Sequence, residues 1–155
     1  MKPITPFLWF ATQAEEAALF YVSVFKDGKM GAISRYGAGT PMPAGTVMTA
    51  SFEIGGQSFT ALNVGQPAAA SSLVSFVVPC DTQEEIDWYW DKLGEGGEYQ
   101  RCGWLKDKFG VAWQVIPARL PEIMGNTDPA KAQAAMQAMM QMKKLVIADL
   151  EKAGS

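Results

Sequence analysis

Phe7-Leu8-Trp9-Phe10 runs into Ala14-Glu15-Glu16-Ala17 and Phe20-Tyr21; 69 positions later Phe76-Val77-Val78 runs into Gln83-Glu84-Glu85-Ile86 and Tyr89-Trp90. In each copy an apolar run reads as a buried strand. An acidic pair then opens an amphipathic helix, where carboxylates favour the helix dipole, and an aromatic pair one turn on faces the core. Self-similarity at a fixed spacing decides the fold before any local reading does. Two copies are too few for a solenoid, so the repeat predicts one globular domain of two similar halves. Strand-helix-strand modules set side by side give a pseudo-symmetric sheet with a concavity near its axis, and such clefts commonly hold ligands.

Outward from the first copy, residues 4–10 read as a strand and 13–26 as a helix with Ala14, Ala17, Ala18, Tyr21 and Phe25 at helical spacing, stopped by Asp27-Gly28. Strands follow near 29–36, 46–54 and 57–64, the last two joined by Gly55-Gly56 as a tight hairpin. The Gly- and Pro-rich stretch 37–45 is a loop of the kind that often serves as a lid, and 65–72 is a small, polar linker. The second half repeats the order: strand 73–79, helix 82–93, the break Gly94-Glu95-Gly96-Gly97, then strands near 98–106 and 110–116. Asp128-Pro129 caps a helix whose face carries Ala135, Met139, Met142, Val146 and Leu150, some six turns long. Its methionines, Met136, Met139, Met140 and Met142, read as packing against the domain or a partner subunit. The fold expected is α+β: two βαβββ modules forming an open cupped mixed sheet, plus a long C-terminal helix. Residues 1–155 are taken as a single domain, with module 1 about 1–65, module 2 about 72–118 and the tail helix about 128–153.

The 155 residues are 48% hydrophobic and 19% charged, a globular balance that can bury roughly 70% of the surface of the unfolded chain. A net charge of −3 offers no basic footprint for nucleic acid. No apolar stretch approaches the ~20 residues of a membrane span, and the N-terminus lacks the apolar core of a signal peptide. A cytoplasmic protein follows, in which the two cysteines, Cys80 and Cys102, are reduced thiols. Two cysteines in a chain without histidine cannot make a zinc site of the usual four-ligand Cys/His kind.

Several strings together resemble the PhnB-like branch of the vicinal oxygen chelate (glyoxalase/bleomycin-resistance/dioxygenase) superfamily, whose members often carry the label 3-demethylubiquinone-9 3-methyltransferase. They are Pro6-Phe7-Leu8-Trp9-Phe10, Ala14-Glu15-Glu16-Ala17 with Phe20-Tyr21, Ser75-Phe76-Val77-Val78, the run from Cys102-Gly103-Trp104 to Ala112-Trp113-Gln114, and the tail from Met136 to Leu145. The resemblance implies paired βαβββ modules and, usually, a homodimer. It also implies a divalent ion held by His and Glu side chains in metal-using members. Carried over one at a time, those positions fall on Pro6, on Ser75 or Leu73, and on Gln114. None is a competent ligand, although an amide oxygen can touch a hard cation weakly. No metal and no cofactor are expected.

Without histidine, Ser-His and Cys-His nucleophile pairs are impossible. A methyltransferase of the usual fold wants a glycine-rich turn after its first strand, where this chain has Phe10-Ala11-Thr12-Gln13; Gly94-Glu95-Gly96-Gly97 instead follows a helix and caps it. What remains is a cleft between the halves lined by Leu8, Phe10, Asn63, Cys102, Trp104 and Gln114, with Glu53 at a strand end. Cys102 and Trp104 are expected on one face of their strand, Ala112 and Ile116 flank Gln114, and Trp113 faces the helices. Buried Asn63 needs hydrogen-bond partners and can present its amide to a ligand. Two readings stand open. One is a metal-free binding protein for a small aromatic or apolar molecule. The other is an enzyme, either metal-dependent through Gln114 and Glu53 or the methyltransferase of the label.

Overall fold

The computed structural model describes residues 1–69 and 73–155, which hold eight strands and five helices. Ala70, Ser71 and Ser72 of the expected linker lie outside the described residues. The chain forms two compact units, 1–70 and 71–155. In the first, β1 (Phe7–Phe10) leads to α1 (Ala14–Val24), then β2 (Lys29–Arg35), β3 (Val47–Ile54) and β4 (Gln57–Asn63). β1 lies parallel to β4, and β4, β3 and β2 run antiparallel, giving the order β1-β4-β3-β2. The second unit repeats the plan with β5 (Phe76–Cys80), α2 (Gln83–Gly94), β6 (Glu98–Tyr99), β7 (Trp104–Lys106) and β8 (Ala112–Pro117), in the order β5-β8-β7-β6. The α+β class and the paired βαβββ modules are present, each module with its own four-stranded mixed sheet.

Each helix covers one face of its sheet. α1 buries Ala14, Ala17, Ala18, Tyr21 and Val24, small residues that let the Tyr21 ring reach and stack on Phe52 at 5.6 Å. Phe52 in turn stacks on Phe59 at 5.3 Å. α2 buries Ile86, Trp90 and Leu93, and Trp90 stacks on Tyr99 at 5.0 Å. Each such large side chain stabilises the fold by roughly 1.5–3 kcal/mol relative to exposure. Gly55 and Gly56 both take positive φ (57° and 73°), as the two-residue turn that matches strand twist requires. Their amides donate to the Asp27 carboxylate at 3.0 and 3.1 Å, tying the stop after α1 to the hairpin.

Three expectations need correction. First, the helices α1 and α2 correspond at an offset of 69 but the first strands, β1 and β5, at 70. Three residues separate β1 from α1, and two separate β5 from α2. Buried Leu8 and Phe10 therefore match buried Val78 and Cys80, while exposed Phe7 matches exposed Val77. A one-residue slip turns every strand side chain to the other face, so Pro6 and Ser75 are not equivalent positions. Second, the strand expected near 98–106 is two strands, β6 and β7, joined by a turn in which Cys102 has φ 59°. Cys102 does not sit on a strand face beside Trp104.

Third, the tail is not one long helix over 128–153. It comprises α3 (Leu120–Met124), α4 (Pro129–Met140, capped by Asp128 as expected) and α5 (Ile147–Ala153). Between α4 and α5 the carbonyls of Met142 and Lys143 accept the amides of Cys102 and Gly103 at 2.9 and 2.8 Å. Those outside partners take the acceptors that a continuous helix would use itself.

Candidate functional site

Each sheet has a face turned away from its helix, and the register fixes which side chains share it. On the first sheet this open face carries Phe7 and Trp9 from β1, beside Thr60 and Leu62 from β4, then Ser51 and Thr49 from β3. Phe7 and Trp9 are 61% and 55% exposed, and the Trp9 indole N–H donates to the Gln66 carbonyl at 2.9 Å. Glu53, opposite Ser58 and Lys29, lies on the same face, and the Ser34 and Thr49 hydroxyls bond to each other at 2.5 Å. The face is aromatic along one edge and hydroxyl-rich across its middle. The 37–45 loop is closed at its neck by paired bonds between Tyr36 and Gly45 and between Tyr36 and Thr46, 2.8 Å each.

Leu8, Phe10 and Asn63 are not on that face. Leu8 and Phe10 are buried on the side of α1. Asn63 is buried too, and its Oδ1 accepts the Ala14 amide at 2.9 Å while its Nδ2 donates to the Val47 carbonyl at 3.0 Å. Gln13, at the N-cap of α1, makes no side-chain cap, so Asn63 supplies from β4 the acceptor the helix start needs. The hydrogen-bond demand read from the sequence is real, but the backbone meets it.

On the second sheet the open face carries Val77 and Pro79 from β5, Ala112, Gln114 and Ile116 from β8, Trp104 and Lys106 from β7, and Glu98 from β6. Gln114 is half-buried, with Val77 on one neighbouring strand and Trp104 on the other. Its Nε2 donates to the Ser75 hydroxyl at 3.0 Å. The pair thus presents a carbonyl oxygen as acceptor and a hydroxyl hydrogen as donor, side by side on an apolar floor. Trp113 points the other way, its indole N–H donating to buried Asp107 at 2.8 Å. The sequence pointed to Trp104 and Gln114 but not to Ser75 as the hydrogen-bond partner of Gln114, nor to Phe7, Trp9 and Val77. Four consecutive large apolar residues in β1 carry no alternation, so nothing local set which pair faces outward.

The donor chemistry of a metal-using member does not fit. The chain has no histidine, and among the described residues no three Cys, Asp or Glu side chains come together as a ligand group. Ser75 and Gln114 bond to each other through neutral groups. Cys80 is no nucleophile: burial, reinforced by the carboxylates of Glu85 and Asp81, pushes its thiol up to about 12. A polar cleft of about 430 Å³ among the tail helices is lined by Arg119, Glu122 and Glu151. The Arg119 guanidinium is paired there with both carboxylates, at 3.0 and 3.3 Å. No helix among the described residues is long and apolar enough to cross a membrane.

Residues 2–116 match the model of the family described as 3-demethylubiquinone-9 3-methyltransferase. Among solved structures the chain is similar to a PhnB protein from Bacillus cereus, 36% identical over 76% of this chain and 100% of that one, with a TM-score of 0.68. It is also similar to a protein from Pseudomonas aeruginosa, 26% identical over 74% of this chain and 96% of that one, TM-score 0.62. A fosfomycin resistance protein, FosX, from Mesorhizobium loti shares the fold at 15% identity, covering 81% of this chain and 98% of that one, TM-score 0.56. No curated protein matches. The family match stops at residue 116, so the tail string from Met136 to Leu145 contributes nothing to it. Running through both modules and ending within β8, the match makes this chain a member of the 3-demethylubiquinone-9 3-methyltransferase (PhnB-like) family, with structural neighbours in the vicinal oxygen chelate superfamily.

Proposed function

We propose that this chain is a metal-free small-molecule-binding protein of the cytoplasm, working as a homodimer, that holds an aromatic or apolar ligand against the open sheet faces. The observation that carries the reading is the Gln114–Ser75 pair beside Trp104, a neutral donor and acceptor next to an indole on a half-buried floor. An aromatic surface with one or two fixed polar groups suits a ligand that is mostly ring, with a single oxygen or nitrogen function to orient. Ligand capture needs no group that the chain lacks, whereas hydrolytic, lyase or dioxygenase chemistry would have to run without histidine, the commonest general base and a common metal ligand.

Mass spectrometry of what co-purifies identifies the ligand, and a titration of parent and Gln114→Leu protein tests the site. Gln114→Leu is expected to weaken binding by about 1–3 kcal/mol, the cost of leaving a buried polar partner unpaired, without loss of fold. Equal affinity in the two proteins contradicts the assignment. The family's description favours one other reading, methyl transfer. Calorimetric titration with S-adenosylmethionine separates the two: the binding-protein reading expects no heat of binding.

A further inference from the structure

Among the residues that follow the family match, one stretch, 142–147, packs on α2 and on the turn that precedes β7. There the chain leaves the helical path and runs as a strap along α2. The Gln83 side chain grips it at two points, donating from Nε2 to the Leu145 carbonyl at 3.0 Å and accepting the Ile147 amide on Oε1 at 2.9 Å. Lys144 Nζ lies 3.1 Å from Asp87 and 3.7 Å from Asp91 on the same helix. Leu145 is fully buried, and a Cβ added to Gly103 would sit 3.2 Å from its Cδ1.

What the strap holds is the turn from which Trp104 departs. The amides of Cys102 and Gly103 donate to the strap carbonyls of Met142 and Lys143, and the Trp104 amide closes the turn on the Arg101 carbonyl at 3.1 Å. On its other side the Gly103 carbonyl accepts the Val115 amide at 2.8 Å, one residue from Gln114. Cys102 keeps a left-handed φ of 59°, a conformation that persists in a residue with a side chain only where its surroundings fix it.

We propose that the strap 142–147 is a positioning device for Trp104, with Leu145 and Gln83 as its positioning residues: docked, it fixes the 101–103 turn and so sets the indole beside Gln114. The importance of this for binding rests on the ligand face proposed above; the mechanical coupling stands by itself and is tested with no ligand present. The 155-residue chain is labelled with 5-fluorotryptophan, and the Trp104 and Trp113 resonances are assigned with Trp104→Phe and Trp113→Phe. Amide exchange is followed in the parent, in Leu145→Ala and in the milder Gln83→Ala.

The expected result is at least tenfold faster exchange at Cys102 and Gly103, with a shifted or broadened Trp104 fluorine line. The line of Trp113, on the helix side of the same sheet, stays in place. If Leu145→Ala does not fold, Gln83→Ala gives the same readings. Loss of amide protection with an unmoved Trp104 line overturns the proposal, as do unchanged amides. So does an equal movement of Trp113, which marks general loosening rather than positioning. Failure here leaves the ligand reading standing, and failure of the Gln114→Leu titration leaves this result standing.

Discussion

Asp107 is buried at 3% exposure, and its carboxylate takes three N–H groups: Phe109 at 2.9 Å, Val111 at 3.0 Å and the Trp113 indole at 2.8 Å. It therefore closes the β7–β8 turn and fixes the large ring on the helix side of β8. Asp107→Ala strands these donors and is expected to cost about 2–4 kcal/mol, read from the urea midpoint. Asn63→Leu removes the acceptor for the Ala14 amide and the donor to Val47, so it should cost about 1–3 kcal/mol while leaving affinity for any identified ligand unchanged. Cys80 gives a pH dependence of definite sign. Its thiol ionises near 9.0 in the unfolded chain and near 12 in the folded one, so the unfolded state loses the proton first. The contribution of Cys80 to stability is fully present below about pH 9 and is lost at about 1.4 kcal/mol per pH unit above it, levelling at about 12. Urea titrations at pH 8 to 11 should show that slope in the parent, reduced in Cys80→Ala. The sequence revealed that Asn63 needed partners but not which. Its helix partner is 49 residues away in the chain, and a cap supplied by a distant strand leaves no local pattern.

Elements here are held by partners as much as by propensity. The 101–103 turn combines Cys102 at φ 59° with Gly103 at φ 81°, where a Cβ would meet the Val115 carbonyl oxygen at 2.6 Å. Gly103→Ala is expected to cost more than about 2 kcal/mol, and Cys102→Gly to gain up to about 1 kcal/mol, both by thermal or urea denaturation. In the strap, Leu145→Ala should cost about 2–5 kcal/mol, whereas Lys144→Ala, which breaks a partly exposed ion pair, should cost no more than about 1 kcal/mol. The break between α4 and α5 was not legible in the sequence because Gln141-Met142-Lys143-Lys144-Leu145-Val146 contains no glycine or proline. The apolar spacing also runs through it at helical period. By contrast, Gly55-Gly56, Asp128-Pro129 and the acidic openings of α1 and α2 were readable, since each acts through its own backbone or the adjacent turn.

At the scale of the molecule, the repeat gave the two βαβββ modules, because helix-face periodicity survives in both copies. It misled at the open face. The connection in the second half is one residue shorter, so the first strands match at a different offset from the helices, and the unalternating apolar run of β1 hid that Leu8 and Phe10 are buried while Phe7 and Trp9 face out. The homodimer proposed above predicts twice the chain mass by light scattering at micromolar concentration; a monomer at that concentration contradicts it.

The ligand proposed is organic and held without a metal, and native mass spectrometry of the purified 155-residue chain decides this. The mass predicted for the parent is chain plus organic adduct, with no transition-metal ion, and the adduct is lost or reduced in Gln114→Leu. One zinc, manganese, iron or nickel ion per chain, retained equally by both proteins, would contradict it.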